Sequence, residues 1–103
     1  MPLLDDQLKG RLPPLHGQEA EEEPWVYAKF LLPGTRWAWY VMEGEPKGTD
    51  FEFFGFVYGR QSEFARFRLS DLQAMQSLIG KRVERDPTFI EGRLTNVVPA
   101  PDD

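Results

Sequence analysis

The stretch FEFFGFVYG, Phe51 to Gly59, decides how the chain is read. Strand side chains alternate between faces. Phe51, Phe53 and Val57 therefore share one side, and Glu52, Phe54, Phe56 and Tyr58 the other. Both sides carry rings. A sheet face that meets only water carries polar residues, so this strand is expected to have something against part of its second face as well. Gly55 interrupts the run. Glycine weakens a strand interior and marks a bulge or a close approach. Making room for Trp37 or Trp39 on the neighbouring strand is its simplest use.

Outward from that strand the pattern repeats. WVYAKFLL (Trp25 to Leu32) and TRWAWYVM (Thr35 to Met42) precede it, and EFARFRL (Glu63 to Leu69) follows. Pro33-Gly34, the run EGEPKGTD and Gly59 separate the strands. Pro33-Gly34 suits a type II turn, which does not match tight-hairpin twist, so a longer or bulged loop is expected there. Alternation assigns Val26, Ala28, Phe30, Leu32, Trp37, Trp39, Val41, Ala65, Phe67 and Leu69 to the same core face as Phe53. Each large apolar side chain buried there contributes roughly 1.5–3 kcal/mol.

Two helices complete the fold. SDLQAMQSLIG carries a capping box at Ser70 and Gln73, an apolar stripe of Leu72, Met75, Leu78 and Ile79, and a stop at Gly80. Near the start, Asp5 caps a short helix with Leu4, Leu8 and Leu12 on one face, ended by Pro13-Pro14. The fold class is α+β: an antiparallel meander sheet of about four strands with one main helix packed on one face and a short N-terminal helix. One domain spans 1–103. Residues 1–24 form the helix and a polar linker, 25–69 the meander and 70–80 the main helix. Residues 81–98 form an irregular segment with a short edge strand near Thr88 to Ile90, and 99–103 a frayed tail.

Composition excludes several classes. Hydrophobic residues make up 41% of the chain, too many for a disordered protein. No apolar run is long enough to span a membrane. MPLLDDQLKG has no apolar h-region, so no signal peptide is expected, and a cytoplasmic location is the simplest compartment. Cysteine is absent, which removes disulfides and thiolate chemistry. No cofactor or metal is expected, because phosphate-loop, nucleophile-elbow and metal-ligand spacings are all missing. The formal net charge of −5 disfavours a duplex-DNA binder. The acid excess sits in the first half, helped by EAEEE at Glu19 to Glu23. That run reads as a solubilising linker, with phosphate mimicry, and so inhibition of a DNA-binding enzyme, as the sharper alternative.

The second sheet face carries the candidate site. Tyr27, Tyr40, Phe54, Phe56, Tyr58, Arg60, Arg66 and Arg68 form an aromatic surface threaded with arginine. The first helix, the Phe89 to Val98 segment, a second copy of the chain in a homodimer, or a ligand could cover it. Phe54-Gly55-Phe56-Val57 also matches the middle of an RNA-binding signature. Glu52 and Phe53 stand where that signature needs a Lys/Arg-Gly pair, and four strands run together before the main helix. Single-stranded nucleic-acid binding is thus the alternative, and protein contact the favoured reading. His16, the one histidine, reads as a solvated loop residue. Glu84-Arg85-Asp86 reads as an ion-pair clamp joining the tail to the sheet.

Five blocks in order carry a family resemblance: LPPL from Leu12, KFLLPGTRWAWY from Lys29, FFGFVYG from Phe53, LSDL from Leu69 and VERDPTF from Val83. Together they resemble the bacterial domain of unknown function family 2958. The resemblance implies a small single-domain protein, many relatives of which are encoded on plasmids and integrative elements. It carries no catalytic residue onto this chain. Where family members lead into the Leu-Ser block with a Leu-Gly-Tyr-Phe-like run, this chain has EFARF, and Arg66 and Arg68 make its outer face more basic. The expected function is a non-enzymatic protein-interaction or accessory module of a plasmid or other mobile element.

Overall fold

In the computed structural model, which describes residues 1–99, Pro13-Pro14 stop the first helix as their missing donors require. That helix, α1 (Asp6–Arg11), starts where the Asp5 carboxylate accepts the Leu8 amide at 2.8 Å. Strands β1 (Trp25–Val26), β2 (Ala28–Leu31), β3 (Ala38–Lys47), β4 (Asp50–Tyr58) and β5 (Glu63–Arg68) follow. Then come helix α2 (Leu69–Ile79), β6 (Glu84–Arg85), β7 (Gly92–Arg93) and the single turn α3 (Leu94–Val97). Five strands make one antiparallel sheet in the order β5-β4-β3-β2-β6, and β1 pairs with β7 in a second, two-stranded sheet. The fold is α+β, with one strand more in the main sheet than the expected four.

The extra strand lies at Glu84–Arg85, not at Thr88 to Ile90. The Asp86 carboxylate accepts both the Thr88 amide and hydroxyl, folding those residues into a turn just past Pro87. EGEPKGTD is also strand rather than loop. Pairing continues to Lys47↔Asp50, leaving Gly48 and Thr49 as a two-residue connection. Pro33-Gly34 does form its turn, with Gly34 at φ 78° and the Thr35 amide donating to Leu32, inside a longer loop closed by Leu32 to Trp37. The tail expected to fray from 99 lies, beyond Pro99, outside the described residues.

Gly55 shows why the sheet bends where it does. A Cβ there would stand 2.0 Å from the Tyr40 carbonyl oxygen and 3.3 Å from the Val41 Cα. Its missing side chain admits the backbone of β3, not a tryptophan ring. At that point β3 bulges: Val41 pairs with Gly55, Glu43 with Phe54, and Met42 is unpaired. Val41 points into the first core and Met42 into the second.

The first core lies beneath α1 and α2. Phe30, Trp39, Val41, Phe53 and Phe67 meet Leu8 and Leu12 from α1, Leu72 from α2 and Val83. Phe53 packs edge-on to Phe30 at 5.5 Å and stacks on Phe67 at the same distance. Helix α2 covers less than its stripe implied, because Leu69, Leu72 and Met75 meet the core while Leu78 and Ile79 are 75% and 52% exposed. Ser70 is not its cap either. The Ser70 amide and hydroxyl donate to Asp50, and Asp71 accepts the Arg68 amide, so Arg68 becomes the N-cap residue. Of the residues assigned to this face, Val26 belongs to the second core, and Trp37, although its ring stacks on Trp39 at 6.1 Å, precedes β3 and is 39% exposed.

Two glycine substitutions separate close approach from helix propensity. Gly55→Ala is expected to lose about 3 kcal/mol, because its neighbour is backbone and cannot yield. Gly10→Ala in α1 has open space and is expected to gain up to about 1 kcal/mol. Chemical denaturation measures both; equal effects would refute this account of the bulge.

Candidate interaction face

The second face of the sheet is half covered by the chain itself. Residues 89–98 fold back across β1 and β3, and the Leu94 amide donates to the Pro24 carbonyl. Leu94, Val97, Val98 and Phe89 pack on Val26, Ala38, Tyr40 and Met42. Tyr40 is 1% exposed, with the Phe89 ring edge-on at 6.4 Å and Lys29 Nζ 5.5 Å from its ring centroid. Burial pushes its hydroxyl pKa up, and the neighbouring Tyr58 and Asp86 add to the rise. Tyr40, expected on the binding surface, is therefore core.

Tyr27 also leaves the expected face. The chain kinks between β1 and β2, where the Tyr27 amide donates to the Val41 carbonyl. Its ring then packs on the first core, with the Arg11 guanidinium 5.6 Å from its centroid. Phe54, Phe56, Tyr58, Arg66 and Arg68 do share the second face, as the β4–β5 register requires. Arg68 is engaged there by Glu52, whose carboxylate is largely buried and lies 3.8 Å from Arg68 Nε and 3.6 Å from Lys47 Nζ. Arg60 lies elsewhere. It lines a shallow hollow at one end of the sheet with Trp37, Gly59 and Tyr58, where Arg36 Nη2 donates to the Tyr58 hydroxyl at 3.1 Å.

What remains open is a groove of about 430 Å³ over β4 and β5. Phe54 and Phe64 form its floor, stacked with centroids 6.0 Å apart and planes 9° apart, and Phe56 meets Phe64 edge-on at 5.2 Å. Phe64 is 52% exposed. It was on the second face by alternation but outside the expected site. Its exposure depends on β5 being an edge strand, which sequence does not specify.

The opposite wall is the segment expected to be a polar linker. It is instead a strap held along β3. Beyond Val41, β3 has no strand on its outer side, and its backbone groups need other partners. Gly44 donates to the Pro13 carbonyl at 2.9 Å, and Gln18 Nε2 donates to the carbonyls of Met42 and Trp25. Glu43 is 3% exposed and accepts the His16 and Gln18 amides, while Glu45 accepts the Leu15 amide. His16 takes the left-handed conformation at φ 71°, and its Nε2 meets Arg66 Nη2 at 2.9 Å.

Ion pairs tie these covers down. Arg85 Nη1 donates to Asp5 at 3.1 Å, and Asp86 faces Lys29 at 3.9 Å, so the Glu84-Arg85-Asp86 triplet links the helix cap and β2 to the edge strand. Arg11 grips Glu91 with both terminal guanidinium nitrogens, and the Trp25 indole N–H donates to the same carboxylate at 3.0 Å. No three His, Asp or Glu side chains converge as a metal would require among the described residues. Nor is any helix among them long and apolar enough to cross a membrane.

An open antiparallel sheet closed on one face by two helices and on the other by its own C-terminal turn defines a small α+β protein with a half-open aromatic face. The profile of the family described as "Protein of unknown function (DUF2958)" matches residues 3–98, and the chain belongs to that family. No curated protein and no solved structure matches the chain.

Glu91 sets an acid limit on the C-terminal cover. The Arg11 guanidinium, then the Trp25 N–H, hold its carboxyl below its ordinary value. A depressed carboxylate stabilises the fold above its unfolded pKa of 4.5 and loses that contribution as pH falls through the lower folded value. Protection of Gly92 to Val98 against hydrogen exchange, relative to the unfolded chain at the same pH, should therefore fall only below that range, and Glu91→Gln should show the lost protection already at neutral pH. Unchanged exchange in the variant would mean that Leu94 and Val97 hold the cover alone.

Proposed function

We propose that the chain is a non-enzymatic interaction or accessory module that binds a partner protein through the open half of its second sheet face. The observation that carries this reading is Phe64, half exposed on an edge strand while stacked against Phe54 and Phe56. Clustered rings around an exposed centre are the usual anchors of protein contact. The covered half supplies the contrast: where the chain has its own segment to bury aromatics, it buries Tyr40 completely.

Protein contact suits this face better than stacked bases. The Phe54 ring already stacks on Phe64, Arg68 is paired with Glu52, and Glu19, Glu21 and Glu22 line the groove where phosphates would pass. We place the chain in a plasmid or other mobile element, on the family resemblance, and in the cytoplasm, on composition.

Affinity purification from a native host should recover a partner with the wild-type chain and lose it with Phe64→Ser, whose melting temperature should be little changed because the ring is half exposed. Retention of the same partners by Phe64→Ser would sink the reading. Capture of single-stranded nucleic acid that weakens steeply with salt would replace it.

A further inference from the structure

The groove has a charge pattern that narrows what it accepts. Its floor is apolar, with Met42 and Leu15 beside the stacked Phe54 and Phe64. Its outer wall is acidic, formed by Glu19, Glu21 and Glu22 from the strap. A fourth carboxylate, Glu43, is buried in the same lining. The two amides that Glu43 accepts, at 2.7 and 2.8 Å, satisfy its oxygens but leave its negative charge in place.

Arg66 is the cation in this lining, and its guanidinium is directed at His16. Arginine only donates, so in this contact the His16 Nε2 is the acceptor. On the other side of the ring, Nδ1 lies 3.5 Å from Glu19 Oε2. His16 thus stands between Arg66 and Glu19 and ties the groove's cation to its acidic wall. The groove thus presents four carboxylates and one engaged guanidinium around two stacked rings.

We propose that this groove docks a short basic-apolar segment of a partner protein: a large apolar side chain against Phe54 and Phe64, and an adjacent Arg or Lys against Glu19, Glu21 and Glu22. This rests on the interaction reading above and names the chemistry of its partner. A volume of about 430 Å³ fits a few side chains rather than a whole domain surface. The rings offer the cation a second attraction, since a guanidinium stem lies favourably on aromatic faces. The acidic wall repels nucleic acid and acidic peptides, which makes the site selective as well as attractive.

The test uses the full-length chain and a displayed pool of random peptides. Enriched sequences should join Arg or Lys to Trp, Phe, Leu or Met. A synthetic peptide of the enriched type should shift the amide resonances of Leu15 to Glu22, Met42, Phe54 and Phe64. Converting Glu19, Glu21 and Glu22 together to Gln should weaken that peptide by about tenfold or more and flatten its salt dependence. Arg66→Glu should bind it at least as tightly, because it removes a like charge.

Enrichment of acidic or uncharged sequences, no enrichment over the blank support, shifts confined to other residues, or full affinity in the triple variant would each overturn the proposal. The native partner separates it from the broader reading. A partner lost by Phe64→Ser but retained by the triple Gln variant would defeat the basic-segment inference alone. A partner retained by both would defeat the two together.

Discussion

The architecture depends on one close approach, the Tyr40 carbonyl occupying the space where a Cβ at Gly55 would stand. Any side chain at Gly55 would force β3 and β4 apart. With none, β3 closes on β4 and takes up its extra residue at Met42. The bulge turns Met42 and Glu43 toward the same face. Without it, strict alternation would send one of the two into the first core, where a carboxylate has no place among Phe30, Trp39 and Phe53. The groove floor, its buried charge and the anchor for the strap all follow from that one irregularity.

The strap then solves a second problem. A ten-residue β3 outruns its four-residue neighbour β2, so part of its outer edge would stand unpaired. Free edges recruit other strands. Here Pro13, Gln18 and the amides of Leu15 and His16 take the exposed backbone groups and carboxylates of β3 instead. The segment EAEEE is thereby carried on an anchored loop beside an aromatic floor. An acidic run that in isolation only aids solubility becomes the wall of a groove.

The two faces are closed by opposite means. Helices α1 and α2 seal the first with Leu8, Leu12 and Leu72. On the second, a single helical turn of four residues brings Leu94 and Val97 over β3 and stops short of β4 and β5. Arg11–Glu91 joins the two covers across the sheet margin, and Arg85–Asp5 ties the α1 cap to the edge strand β6 beside it. Protection therefore falls on the β2 side and exposure on the β5 side. That asymmetry leaves Phe64 open while Tyr40, on the same face, is sealed.

Sequence alone determined the α+β class, the α1 cap at Asp5, the Pro33-Gly34 turn and most of the first core, because these rest on local chemistry and a two-residue repeat. It also placed Phe54, Phe56 and Arg66 together on the second face. It missed Tyr27, Tyr40 and Trp37, and it read EGEPKGTD and HGQEAEEEP as loop and linker. Those outcomes were set by a kink after β1, a bulge at Met42 and a chain terminus folding back. Each depends on contacts between residues distant in the chain. Periodicity records which side chains share a strand face; only the tertiary structure decides what lies against it, because burial is a property of the neighbour and not of the residue.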